Sequence, residues 1–431
     1  MIRAPRFFAT GCLLACLLLT SEGIALADSS GGADAQPTAD QPKTAAQPQT
    51  SESATVKAEP KLEGTLEPKV DAKDAAATPP VEKPKRELLP AQVALRDQIR
   101  QTLAQQQKQP LNTRDNLPTE ISAFCLGFGC NTEVSLDGVG GKKINGITCL
   151  CWNYPCAGFE MLGPGQKHLV ARVGYGRQQH PGEFLATLAM SRVPATYPIR
   201  VDKETRTVAD LVEAEKLDCR VGGDMSLKLV GLTFYVDSPN WKNDLGDDWS
   251  IERILQQEVA QPVVSAADGG LNRLTGLSFA VAYRINRGLP VDGQYQRAQK
   301  YLNDFHDFAL TLQNSDGSWG PALLAARSAA DDGTIQLIAT GRVLEWLALS
   351  LPDNRLDDPR VVRAVDLVTR LLNSKRYQQN VPYLPTRELD AMGHALHGLS
   401  LYNERVFAPF DAEEKAATET ADNPEPSAAT R

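Results

Sequence analysis

The chain is expected to be all-α, an α/α toroid of five to six helical hairpins, and three observations carry that expectation. Apolar residues recur at helical spacing from residue 92 to about 410. The helices so predicted are of two kinds, some apolar along one side only and some apolar nearly all round. A glycine-led segment also repeats: Gly182, Gly231, Gly276, Gly341 and Gly393 are separated by 49, 45, 65 and 52 residues, and three places on stand Leu185, Phe234, Phe279, Leu344 and Leu396 in turn. One buried helix plus one half-exposed helix per repeat is what a toroid requires, with inner helices lining a ring and outer helices around them. The same hairpins would also build an open solenoid, since a repeat alone does not show closure.

Residues 1–27 carry Arg3 and Arg6, an apolar run, and Ala25-Leu26-Ala27, the form of a cleaved export signal, so an exported protein, periplasmic or extracellular, is expected. A lipid anchor at Cys16 is disfavoured because that cysteine lies inside the apolar run and not at its end. Residues 28–91 are rich in Ala, Pro, Thr, Gln, Lys and Asp and cannot bury enough apolar surface to offset the entropy of ordering, so they read as a disordered linker. Residues 411–431 read the same way, leaving 92–410 as the folded domain. Within it, Ser250 is a cap for a helix whose Ile251, Ile254, Leu255 and Val259 share one face. Asp358-Pro359 is a cap and first turn before Val361, Val365, Val368 and Leu372. The expected half-exposed helices are Thr207–Leu217, Ser250–Gln261, Gln294–Gln313 and Pro359–Asn373.

Removal of the signal loses two cations and one anion, taking the formal charge from -8 to -9, which offers no nucleic-acid surface. No run in the mature chain reaches the ~20 apolar residues of a membrane span. Cys125, Cys130, Cys149, Cys151, Cys156 and Cys219 fit disulfides or buried thiols better than zinc, because Cys-x4-Cys and Cys-x-Cys-x4-Cys are not the usual ligand spacings. No P-loop or GxGxxG is present, so no cofactor is expected.

The stretch "QNSDGSW", Gln313 to Trp319, resembles the second half of the QW repeat of squalene and terpenoid cyclases, and the hairpin spacing resembles their barrel, shared with protein prenyltransferase β subunits. Its physical reading is structural: a Gln bonding free backbone at a helix end, a Gly permitting a left-handed turn, a Trp covering the joint. Longer stretches such as "GYGRQQHPGEFLA" and "GHALHGLSLYNERVF" are similar to a group of exported bacterial proteins of this toroid class, a likeness that implies no activity. The resemblance to cyclases implies an Asp-x-Asp-Asp acid, yet Ala329-Ala330-Asp331-Asp332 lacks its first Asp. The prenyltransferase zinc pattern Asp-x-Cys is absent too, since Asp218 and Cys219 are adjacent, and the thioester Cys-Gly-Glu-Gln of complement-type toroids is not found at Ala267-Asp268-Gly269-Gly270.

Candidate functional residues follow from chemistry. His394 and His397, three apart, share a helix face where they could bind a ligand or metal or relay a proton, and packing accounts for them more readily than a ligand role. His180 with Glu183 stands at the start of a buried helix and suits an acid–base pair or a cap. Glu345 beside Trp346, in "VLEWLALSL", needs a cavity or a partner charge. Asp331 and Asp332 are the remaining catalytic candidates, Trp346 the aromatic ligand contact; Asp247, Asp248, Asp304 and Asp307 read as caps or solvated acids. No metal ligand set is expected. The function expected is binding of a small molecule, glycan or protein in a central cavity without cyclase chemistry. The alternatives are a terpenoid cyclase or prenyltransferase-like enzyme, and a carbohydrate-active (α/α)6 enzyme using Glu345, Asp331 and Glu183 as carboxylates.

Overall fold

A computed structural model describes residues 88–410 apart from 166, 167, 265, 267, 380 and 409; the expected signal, most of the linker and the tail lie outside the described residues. The described chain is mostly helical. In order it forms α1 (Pro90–Gln106), α2 (Pro118–Phe128), β1 (Glu133–Ser135), β2 (Lys143–Asn145), α3 (Gly146–Cys151), β3 (Leu162–Pro164), β4 (Leu169–Ala171) and α4 (Glu183–Met190). Then come β5 (Pro198–Val201), β6 (Glu204–Thr207), α5 (Val208–Leu217), α6 (Ser226–Tyr235), β7 (Trp241–Lys242), β8 (Asp248–Trp249) and α7 (Ile251–Ala260). The last part holds α8 (Leu271–Asn286), α9 (Gly293–Thr311), α10 (Gly333–Ser350), α11 (Pro359–Leu372), α12 (Lys375–Gln378) and α13 (Thr386–Tyr402).

The first helix opens at Pro90, ahead of the expected start at 92, with Pro in its first turn. Four antiparallel pairs, β1–β2, β3–β4, β5–β6 and β7–β8, lie in the connections. At two to four residues each they are too short to leave a two-residue period in the sequence. The expected half-exposed helices are α5, α7, α9 and α11, and their caps are as read: Ser250 Oγ accepts from the Arg253 amide at 3.1 Å, and Asp358 Oδ1 from the Arg360 amide at 2.9 Å.

The buried helices contact one another in succession: α2 on α4, α4 on α6, α6 on α8, α8 on α10, α10 on α13, and α13 again on α2. The repeated glycines sit at these crossings. A Cβ on Gly231 would meet Leu185 Cγ at 2.5 Å, one on Gly276 the Ser226 carbonyl oxygen at 2.1 Å, one on Gly341 the Ala395 Cβ at 3.0 Å and one on Gly393 the Ala123 carbonyl oxygen at 2.5 Å. At Gly276 and Gly393 the atom met is backbone, so two helix backbones approach there too closely for a side chain. Gly182 instead caps α4 in the left-handed conformation at φ 78°. Outside this succession α7 and α9 pack on α8, α11 on α10, and α1 on α11 and α13.

The Gln313–Trp319 stretch ties three helices together. The Gln313 side-chain amide donates to the carbonyls of Gly317 at 3.0 Å and Arg360 at 2.8 Å, Gly317 turns at φ 94°, and buried Trp319 donates Nε1–H to the Ala309 carbonyl at 2.9 Å. Its backbone amide meets Thr340 Oγ1 of α10 at 3.1 Å. The end of α9, the start of α11 and the middle of α10 are thereby fixed together.

Buried ion pairs join the layers. Lys228, 2 % exposed, bonds Glu215 at 3.0 Å and Asp218 at 2.6 Å, linking α6 to α5. Glu258 of α7 accepts from Arg273 of α8 and Ser226 of α6 at 3.0 and 2.8 Å. The six cysteines are free thiols, with Cys149 and Cys156 sulfurs 3.7 Å apart.

Candidate functional site

A cavity of about 730 Å³, counting its opening, lies among the six buried helices. Every one of them contributes: Ser122 and Leu126 of α2, Glu183 and Thr187 of α4, Leu227 of α6, Asn272 and Thr275 of α8, Arg342 and Glu345 of α10, Asp390 and His394 of α13. The turn before α4 adds Gln179 and His180. The polar side chains come mainly from the first halves of α4, α8 and α13, while Leu126 and Met190 lie near the ends of α2 and α4. No Phe, Tyr or Trp is among the described lining residues.

The centre of the site is Glu345. Gly398 lets α13 approach α10 there, for a Cβ on it would fall 2.9 Å from the Glu345 backbone nitrogen. That approach sets both histidines of α13 against one carboxylate: His394 Nδ1–H donates to Oε2 and His397 Nδ1–H to Oε1, each at 2.6 Å. Glu345 is buried, which alone would raise its pKa, but the charge and hydrogen bonds of His394, with those of His397, hold it well below the ordinary carboxylate range. For His394, burial works against the charged ring, yet Glu345 prevails and its pKa is raised, with Arg342 opposing and Asp390 assisting. With Nδ1–H committed to Glu345, the neutral His394 ring carries its lone pair on Nε2, 3.8 Å from Asp390 Oδ1.

A second cluster forms the rim. The Gln179 and His180 amides donate to Glu183 Oε2 at 2.6 and 3.1 Å, fixing the turn into α4. His180 Nδ1 pairs with Asp224 at 3.1 Å, and that hydrogen bond raises its pKa. Burial raises the pKa of Glu183, and the nearby Asp390 charge adds to it against the two amide bonds.

Arg342, one turn before Glu345, donates to Asn272 Oδ1 at 2.7 Å and lies 3.8 Å from Asp268. Asp268 itself accepts from the amides of Gly270 and Asn272 at the start of α8.

Other candidates lie elsewhere. Trp346 is fully buried and points away from the cavity, donating Nε1–H to Ser278 Oγ at 3.1 Å and stacking on His306 at 5.1 Å. His306 is buried and its pKa pushed down to about 4, chiefly by burial, with Nε2 against Ser350 at 2.7 Å. Asp332 caps α10 through the Thr334 amide at 2.6 Å, and Asp331 beside it is exposed. Asp247 accepts from Asn243, Asp248 pairs with Lys242, Asp304 with Lys300 and Asp307 with Arg355, all outside the cavity. Arg342 and Asp390 were not singled out from sequence; Asp390 stands four residues before His394, a same-face spacing that was available to find it. Among the described residues no group of three or more His, Cys, Asp or Glu is arranged to hold a metal, and no helix is long and apolar enough to cross a membrane.

No family model, curated protein or solved structure matches the chain, so the resemblance to terpenoid cyclases and prenyltransferases rests on the residues quoted above.

Proposed function

We propose that the chain is an exported α/α toroid that binds a small hydroxyl-rich molecule in its central cavity and acts on it through the His394–Glu345 pair. The unbroken succession of helix contacts, from α2 round to α13 and back, supports a closed ring over an open solenoid. Export rests on the charged, apolar and small-residue pattern of residues 1–27.

One observation carries the functional reading: a buried carboxylate holds His394 by Nδ1 and leaves Nε2 as the proton-accepting atom on the cavity side. A histidine so held takes a proton from a bound hydroxyl at Nε2, and Glu345 stabilises the imidazolium that results. Glu183, kept protonated more readily by burial, is the corresponding acid at the rim. The neutral polar lining, Ser122, Gln179, Thr187, Asn272 and Thr275, matches hydroxyl groups, whereas guiding a polyene cation requires aromatic faces that this lining does not offer.

The test is saturation-transfer NMR on the full chain with a mixture of monosaccharides, disaccharides and polyols. Bound members that are lost in His394→Ala, with the cooperative melt retained, are expected. A mixture in which nothing binds, or in which binding is indifferent to His394→Ala, contradicts the reading.

A further inference from the structure

A second, outer chamber of about 1110 Å³, counting its open side, adjoins the inner cavity, and the two share Gln179, Arg342 and Asp390. We propose that this outer chamber is a subsite for an anionic group, carboxylate or phosphoryl, carried by the ligand whose hydroxyl-bearing part reaches His394. The proposal rests on the cavity reading above and assigns the ligand its charge.

Three guanidiniums line the chamber, Arg177, Arg342 and Arg387, against one carboxylate, Asp390. Asp390 faces inward, 3.8 Å from His394 Nε2. Each arginine is held or left free in a way that suits an incoming anion. Arg342 is anchored on Asn272 at 2.7 Å and pairs with Asp268 at 3.8 Å. Arg177 is positioned by its Nε–H, which donates to the Glu160 carbonyl at 2.8 Å, and by the Phe159 ring 5.1 Å beneath it. Among the described residues neither Arg177 nor Arg387 has a carboxylate within ion-pair distance. Arg177, fixed at its Nε–H and open at its other edge, presents two parallel N–H donors, the geometry that carboxylate and phosphoryl oxygens accept.

One further observation points to a missing acceptor. The 17-residue helix α13 begins on this chamber with Thr386 and Arg387; Pro385 occupies the cap position and no side chain caps it, while Glu388 stands in its first turn and the Thr386 hydroxyl donates to Glu120 Oε1 at 2.7 Å. The Glu388 amide is bonded to the Pro385 carbonyl at 2.7 Å, so the amides of Thr386 and Arg387, with the helix dipole, are what favour a negative group there.

The chamber is tested by isothermal titration of the full chain, in a buffer free of both anions and at constant ionic strength, with inorganic phosphate, with acetate and with glucose as the neutral control. Saturable binding of at least one anion is expected. It should weaken tenfold or more in the Arg177→Gln, Arg387→Gln double variant and recover in part in the corresponding double Lys variant, each retaining a cooperative melt. Tighter binding of phosphate assigns a phosphoryl group, and tighter binding of acetate assigns a carboxylate. Failure of both anions to bind, or binding unchanged in the double Gln variant, overturns the proposal. If glucose binds and depends on His394 while neither anion binds, the charge assignment falls and the cavity reading stands; if nothing binds, both fall.

Discussion

Replacing Glu345 by Gln changes one atom of a buried side chain and removes the charge that two histidines share. The carboxylate accepts from His394 and His397 at 2.6 Å each. A Gln amide offers one acceptor oxygen and one NH2, so only one histidine keeps its bond as drawn. The other must present its ring nitrogen as acceptor or lose the contact. A hydrogen bond to a charged group contributes about 1.5–3 kcal/mol, and the residue left behind is a neutral ring, so the expected loss is about 2–3 kcal/mol. Glu345 is 6 % exposed as a side chain, so solvent screening does not reduce this much. The pH dependence follows from the directions of the two shifts. Glu345 has its pKa lowered from 4.5, so its contribution is complete above about 4.5 and is lost as pH falls through the lower folded value. His394 has its pKa raised from 6.5, so its contribution is complete below about 6.5 and is lost as pH rises through the higher folded value. The gap between wild type and Glu345→Gln should thus be widest between about pH 4.5 and 6.5 and narrow on both sides. Urea unfolding followed by far-UV circular dichroism across pH 4–9 measures it. A gap that is flat with pH, or widest above pH 8, would refute the assignment of charge to this cluster.

Three stability predictions accompany it. Gly393→Ala places a Cβ 2.5 Å from the Ala123 carbonyl oxygen, where backbone must move, and should cost about 3 kcal/mol or block folding; an unchanged melt would count against the close crossing of α13 and α2. Trp319→Ala empties a fully buried site that joins α9 to α10, with an expected cost of about 3–5 kcal/mol by denaturant unfolding, and a loss below about 1 kcal/mol would deny that role. Lys228→Met leaves the buried Glu215 carboxylate without its cation and should destabilise by about 3–5 kcal/mol at pH 7, an effect that a Glu215→Gln change in the same chain should partly reverse; absence of that rescue would break the pairing argument.

Much of the helical framework could be read directly from the residues. The spacing of Gly231, Gly276, Gly341 and Gly393 is visible because a tight helix contact, against backbone at Gly276 and Gly393, leaves a mark in the sequence at each helix. Glu345 was marked by its apolar surroundings, and His394 with His397 by their shared face. The partnership between them was not legible, since it depends on α10 lying against α13, fifty residues away. Arg342 was hidden for the same reason: its meaning comes from Asn272 on α8. The sixth member of the succession, α2, is less legible: a Cβ on Gly127 would meet Leu396 Cβ at 2.9 Å, yet three places on stands Cys130 in place of the Leu or Phe of the other repeats. Trp346 misled because an apolar helix covered all round gives no periodicity to say which face meets the cavity, and its indole lies on the side of Ser278 and His306. Asp331 and Asp332 showed an acidic pair before a helix, where capping and catalysis use the same letters.

The central claim, that His394 is the proton-carrying group of the cavity, is tested most directly by the ring-nitrogen NMR spectrum of the five histidines across pH, with and without a bound sugar or polyol. The account predicts that His394 keeps its proton on Nδ1, titrates at Nε2 with a midpoint above 6.5, and shows its largest ligand-induced shift at Nε2. A His394 ring that is neutral with its proton on Nε2, that titrates below 6.5, or that is unmoved by any ligand the chain binds would contradict it.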